Sequence, residues 1–177
     1  MLYTRHYATP PGFDDLLMAS DGEVLICLCF CCSRGESRFI GQNGEKDLPV
    51  FQDTARWLDI YFSGRQPDFT PAYRLDGLTQ FRREVFGIME HIPFGQLLTY
   101  GEIAQQIAEH RGLGRMSAQA VGGAVGWNPI CIIVPCHRVI GANGNLTGYG
   151  GGLHNKIALY NPQNDACAIA KTKCDFI

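Results

Sequence analysis

No run in the chain approaches the roughly 20 consecutive apolar residues that a bilayer-crossing helix requires. Nor does the N-terminus carry a cationic stretch leading into an apolar segment and a small-residue cleavage site. Both absences argue against a membrane partner or an export signal, so a soluble, unexported protein, cytoplasmic or nucleoid-associated, is expected. Charge of one sign is also scarce, the formal net charge being −2, which taken as an average argues against a nucleic-acid binder. The local distribution reads differently. Residues 111–156 contain no Asp or Glu, while Arg111, Arg115, Arg138 and Lys156 are cationic. Such a stretch can face phosphates without self-repulsion; a Gly-rich core segment that happens to lack carboxylates is the alternative.

With 46% hydrophobic and 18% charged residues over 177 positions, the chain has the composition of an ordinary globular protein of one or two modest cores. Its eight cysteines, at positions 27, 29, 31, 32, 131, 136, 167 and 174, read as reduced thiols rather than as a disulfide framework. Cys27, Cys29 and Cys31 alternate along a β-prone run and so share one face, with Cys32 on the other. That spacing matches neither paired CxxC knuckles nor a redox CxxC, and it leaves two readings, small buried strand residues or a metal-thiolate protein.

The first part of the chain predicts strand, turn, strand, with Asp21-Gly22 as the turn and residues 24–31 as a β-prone run. A short strand over 38–40 and a turn over 41–44 follow. Residues 50–62 then carry Phe51, Ala55, Leu58, Ile60 and Tyr61 at near-helical spacing. This part reads as a small α+β domain with nothing catalytic in it. From residue 78 the pattern turns helical: Leu78, Phe81, Val85, Ile88 and Ile92 recur at steps of three or four. Thr99-Tyr100-Gly101-Glu102 has the form of a capping box opening a helix through Ile107, and Ser117 is a candidate N-cap for a helix over 118–126. The two suggest a helix-turn-helix or a plain helical hairpin. The second helix presents Gln, Ala and Gly where a base-reading helix would present Arg and Asn. Residues 130–134 form a β-branched run expected to be a fully buried strand, Asn143-Gly144 a tight turn, and 153–160 a last helix.

The run 130–134 delivers Pro135-Cys136-His137-Arg138. A cysteine is nucleophilic as its thiolate, which a neighbouring cation, a proton acceptor or donors aimed at the sulfur favour. His137 and Arg138 adjoin Cys136, and Asn128 can anchor the turn by bonding to backbone groups. On these residues alone a buried structural cysteine, a nucleophile in group transfer and a cysteine hydrolase all remain open.

The ordered stretch Ala120-Val121-Gly122-Gly123-Ala124-Val125-Gly126-Trp127-Asn128-Pro129, followed by Val134-Pro135-Cys136-His137-Arg138-Val139-Ile140-Gly141, Gly148-Tyr149 and Gly151-Gly152-Leu153, closely resembles the alkylguanine-DNA alkyltransferases. The likeness is strong over about residues 78–159 and looser before. It implies an α/β (α+β) protein: an N-terminal ribonuclease-H-like sheet domain over 1–76 and a C-terminal winged-helix, helix-turn-helix DNA-binding domain over 77–177. It further implies a monomer without cofactor or metal that binds double-stranded DNA in the minor groove, flips out an alkylated guanine and transfers the alkyl group once, to its own cysteine. Carried onto this chain, Cys136 is the acceptor, His137 its base through a water, and Asn128 the stabiliser of the turn. Tyr100 rotates the phosphate and gives a proton to the departing guanine. Tyr149 lines the base pocket, backbone groups of Val139 and Gly150 read the guanine edge, and Arg138, Ala120 and Gly122 belong to the DNA face.

Three departures from the family pattern stand out. Gln119 occupies the position of an intercalating Arg, Gly150 that of a Ser hydroxyl, and Gln163 that of the Glu which orients the histidine, with Asp165 as a possible substitute. The last predicts a weaker thiolate and keeps open a second reading, a protein that binds alkylated DNA as a sensor with little or no transfer.

Overall fold

The computed structural model describes residues 1–33, 36 and 46–160. The strand expected over 38–40, its turn, Cys167, Cys174, Gln163 and Asp165 lie outside them. Three antiparallel strands, β1 (Tyr3–Tyr7), β2 (Leu16–Ser20) and β3 (Leu25–Phe30), form a sheet in that order, with a register shift at Ala19 and Ser20 just before the predicted Asp21-Gly22 turn. Asp21 Oδ1 accepts from the amides of Glu23 and Val24, which closes this turn. One sheet face buries Leu16, Met18, Leu28 and Phe30 in the main core; the other holds Leu17, Ala19, Cys27 and Cys29 in a separate small cluster. Helix α1 (Pro49–Phe62) belongs to the main core through Val50, Phe51, Thr54, Trp57, Leu58 and Tyr61, the stripe that a 3.6-residue period dictates. Pro49 suits its first turn, where no amide partner is needed.

Three helices build the second part: α2 (Gln80–Glu90), α3 (Tyr100–His110) and α4 (Ala118–Val125). The buried face of α2 runs through Val85, Phe86 and Met89, rotated from the expected stripe because Leu78 precedes the helix and Ile92 follows it. Both predicted starts of the helix pair are present. Thr99 Oγ1 accepts from Glu102 N at 3.1 Å while Glu102 Oε2 accepts from Thr99 N at 2.6 Å, and Ser117 Oγ accepts from Ala120 N at 3.2 Å. Helix α4 packs on both α2 and α3 and buries Val121, Ala124 and Val125.

A two-stranded parallel sheet joins β4 (Leu98–Thr99) to β5 (Val139–Ile140), and α5 (Leu153–Tyr160) closes the described chain. The strand expected over 130–134 does not form. Ile130 makes a single parallel bridge to Leu28, then the backbone reverses at Ile132, whose φ of 69° is a left-handed conformation unusual for a β-branched residue. All but the half-buried Ile133 are buried as predicted, but as a tight turn rather than a strand. The two parts of the fold meet along β3, where Leu28 N donates to Pro129 O at 2.7 Å and Cys131 N donates to Leu28 O at 2.8 Å. Asn155 adds a second tie, donating to Asp14 Oδ2 and accepting from Asp14 N, both at 2.9 Å.

Candidate active site

Asn128 determines the shape of the loop before Cys136. Its Nδ2 donates to Val134 O at 2.8 Å and its Oδ1 accepts from Ile130 N at 3.0 Å, so one side chain pins both ends of the turn that contains the left-handed Ile132. Val134 O also accepts from Cys136 N at 2.8 Å. The chain then enters one 3-10 turn, Cys136–Arg138. With three residues per turn, successive side chains diverge by about 120°, and the three motif residues do point to three places.

Cys136, 4% exposed, looks into a cavity of about 170 Å³. Asn128, Tyr149, Gly150, Cys29, Cys131 and the end of α4 at Val125 are among its walls. His137, 2% exposed, turns toward α1, where the Tyr61 hydroxyl lies 2.8 Å from Nε2. Arg138 faces a second cavity, shared with Trp57, Phe94 and Pro135. Its guanidinium donates to Ile92 O at 3.1 Å and lies 5.1 Å from the Phe94 ring centre. Arg138 was expected at the DNA face, and that expectation is corrected: it is buried and ties the motif to the segment after α2.

Burial pushes the Cys136 thiol above its ordinary value; Asn128 and Tyr149, which face the sulfur, and the charge of Lys156 pull it back. Lys156 was expected among phosphate-facing cations, yet it is fully buried. Its Nζ donates to Val139 O at 2.7 Å and sits 5.8 Å and 5.9 Å from the ring centres of Tyr100 and Tyr149. Burial lowers its own pKa, and a thiolate at Cys136 would raise it. Of the four cations in the acid-free stretch, Arg111 pairs with Glu84 at 2.8 Å, and Arg115 is exposed.

Tyr100 reaches the site because Thr99, which precedes it, pairs with Ile140 in the small sheet. Burial raises its pKa and the proximity of Cys136 raises it further; its hydroxyl donates to Thr147 O at 3.3 Å. Gly122 lies under its ring, where a Cβ would come within 3.9 Å. Gln119 and Ala120 are exposed on α4. The carbonyl of Val139 already accepts from Lys156 and its amide donates to Cys136 O, so reading a guanine edge there relies on the second lone pair of the carbonyl. Gly151 has no room for a side chain, since a Cβ would lie 2.7 Å from Phe30 and 2.8 Å from Tyr149.

The N-terminal part is not the inert partner its sequence suggests. Tyr61 contacts His137, and Cys27, Cys29, Phe30 and Ser33 help to wall the Cys136 cavity. A Tyr in a helical stripe reads as core, and only the fold reveals its partner. Cys31 Sγ lies 3.5 Å from His6 Nδ1, and Cys32 is exposed. Among the described residues no group of His, Cys, Asp and Glu side chains is arranged to hold a metal ion, and no helix is long and apolar enough to cross a membrane.

Residues 2–75 match the ribonuclease-like domain of 6-O-methylguanine DNA methyltransferase, and residues 80–163 match its DNA binding domain. Among curated proteins, the chain is 47% identical over 166 residues to the methylated-DNA--protein-cysteine methyltransferase of Mycobacterium bovis, covering 90% of each. It is 40% identical to the Mycobacterium leprae protein of the same name, again covering 90% of each. Among solved structures, Mycobacterium tuberculosis OGT in complex with DNA superposes with a TM-score of 0.76 at 38% identity, covering 92% of both chains. The Pyrococcus kodakaraensis O6-methylguanine-DNA methyltransferase, 23% identical with a TM-score of 0.59, shares the fold. The ribonuclease-like and DNA binding domains are matched in that order, with the buried Cys136–Arg138 turn inside the second, and the chain belongs to the 6-O-methylguanine DNA methyltransferase family.

Proposed function

We propose that the protein repairs DNA by moving an alkyl group, typically methyl, from the exocyclic oxygen of an alkylated guanine or thymine onto Cys136, once per molecule. The observation that carries this reading is the enclosure of the Cys136 sulfur in a cavity walled by Asn128, Tyr149, Gly150 and the end of α4. Displacement at an alkyl carbon needs a soft nucleophile in line and a leaving group that is neutralised. In this reading the Cys136 proton passes through a water to His137. The sulfur attacks the alkyl carbon, a C–S bond forms as the C–O bond breaks, and the electron pair leaves on the base. The Tyr100 hydroxyl gives the base a proton and recovers one from the His137 imidazolium through water, so that the proton lost by Cys136 ends on the released base. The thioether has no easy exit, so the molecule is consumed. No cofactor enters this balance.

Double-stranded DNA is the partner. The small face of α4, with Gln119 and Ala120 exposed and Gly122 half-buried, suits close approach of backbone to a minor groove, Gln119 filling the gap left by the flipped base. Tyr149 and backbone groups of Gly150 and Val139 would then hold the base. Action as a monomer and a division into residues 1–76 and 77–177 belong to the same proposal. The curated relatives are named for transfer, and the sensor reading has no support over it.

Incubation with duplex DNA containing O6-methylguanine, followed by mass spectrometry of the digest, tests the proposal. One added methyl on the peptide carrying Cys136 is expected, and none after Cys136→Ser. Methyl loss from DNA with an unmodified Cys136, or turnover beyond one equivalent, would refute it.

A further inference from the structure

Tyr61 is held rigidly before it meets the motif. Its ring stacks on Trp57 with centroids 5.2 Å apart and meets Phe94 edge-on at 5.8 Å and His137 edge-on at 6.1 Å. Tyr61 is 1% exposed and His137 2%, and the hydroxyl to Nε2 separation is 2.8 Å. Bulk water therefore does not compete for this bond, and the proton between the two groups has two possible owners.

We propose that Tyr61 is the positioning residue of His137: its hydroxyl oxygen accepts Nε2–H, which fixes the neutral imidazole with its basic lone pair on Nδ1. The inference rests on the reading of His137 as the base of Cys136. If the phenol instead donated to Nε2, the proton of the neutral ring would sit on Nδ1, and uptake of a second proton would have to displace the phenol hydrogen from Nε2. With the phenol oxygen as acceptor, the bond at Nε2 is not displaced. Nε2–H keeps its bond when Nδ1 takes the proton leaving Cys136, because both nitrogens donate in the imidazolium. Among the described residues the neighbouring charged groups fit this division. Arg138 follows in the chain but sends its guanidinium to Ile92 O and Phe94, Cys136 precedes it, and Lys156 lies on the side of Tyr100 and Tyr149. Orientation comes from a neutral group of the N-terminal part. Tyr61 would thus govern the rate of transfer and leave DNA affinity alone.

Tyr61→Phe deletes the hydroxyl and keeps the stacked ring. Single-turnover transfer from O6-methylguanine duplex to Cys136 is measured beside duplex affinity and the thermal midpoint, and nitrogen NMR of histidine-labelled wild-type protein reads the His137 tautomer without any substitution. The transfer rate constant is expected to fall about tenfold with duplex affinity unchanged, and wild-type His137 to carry its neutral proton on Nε2. An unaltered transfer rate in Tyr61→Phe, or an Nδ1–H tautomer in the wild type, overturns the assignment of Tyr61. If the wild type itself fails to alkylate Cys136, the repair reading falls and the Tyr61 assignment falls with it; wild-type transfer with an unaltered variant rate sinks the assignment alone.

Discussion

Replacing Lys156 by methionine keeps most of the volume of a fully buried side chain and removes its charge. Two effects on stability oppose each other. The charge-assisted hydrogen bond to Val139 O is lost, a contribution of about 1.5–3 kcal/mol. The desolvation penalty of a buried ammonium is relieved, a gain of several kcal/mol in the other direction. These offset, so the thermal midpoint should move by less than roughly 5 °C. The effect on the thiol has no such counterweight. Beside the hydrogen-bonding Asn128 and Tyr149, Lys156 is the cation that pulls the Cys136 pKa down against burial, and losing a nearby opposite charge raises a thiol's pKa. Below its pKa a thiol loses about tenfold in thiolate per unit of upward shift. Carbamidomethylation of Cys136 by iodoacetamide across a pH series should therefore slow at neutral pH, with its profile displaced to alkaline pH. A profile that stays in place, or moves to acid, would show that the charge does not act on the sulfur. Lys156 supplies a second sign. Its pKa is depressed in the fold, so the unfolded chain binds the extra proton and stability rises as pH climbs from the folded value toward the ordinary lysine range. The methionine variant should lack that rise.

Asn128→Ala removes both anchors of the acceptor turn and leaves Ile130 N and Val134 O without the side-chain partner they have here. Val134 O keeps Cys136 N as a donor, so the cost is that of the Ile130 amide, about 1–3 kcal/mol, read as a drop of about 2–12 °C in thermal midpoint; a loss below about 1 kcal/mol would mean that the turn holds its shape by other means. Gly151→Ala places a Cβ against Phe30 and Tyr149, and overpacking of this kind costs about 1–3 kcal/mol. It should displace Tyr149 and slow transfer in a protein that still folds. Gly123→Ala is its contrast: it meets nothing within 4 Å and should stabilise α4 by up to about 1 kcal/mol, so equal damage from both would refute the packing argument.

Local chemistry is what the sequence makes legible. The capping box at Thr99 and Glu102, the Ser117 cap and the Asp21 turn close within four residues, and each was readable because all its atoms come from one short segment. Strand β1 was not. Tyr3, Thr4, Arg5, His6 and Tyr7 show no alternation, and their burial pattern stays half exposed throughout; they become a strand by pairing with β2, whose five residues are all buried. At 130–134 the composition points to burial, which holds for all but Ile133, and to an extended strand, which does not form. β-Branched residues favour strands when nothing else acts on them, and here the Asn128 side chain acts, closing the loop at both ends and forcing Ile132 to positive φ.

Charge is the least legible property because its sign is written in the sequence and its direction is not. Arg138 and Lys156 share a stretch with Arg115, yet only Arg115 is exposed. The lack of Asp and Glu between residues 111 and 156 therefore acts inside the fold, around Lys156, as well as at the surface. A carboxylate on β5 or on the loop after it could reach Lys156 and neutralise the cation that acts on Cys136. It would also add a negative charge beside a thiol that burial already holds neutral. The acid-free stretch is thus required at the sulfur whether or not it meets a phosphate. That requirement separates the two roles experimentally: a Glu introduced at the exposed turn near Arg115 should weaken duplex affinity and leave Cys136 reactivity unchanged. A Glu in place of Thr147, whose carbonyl lies 3.5 Å from Lys156 Nζ, should raise the thiol pKa.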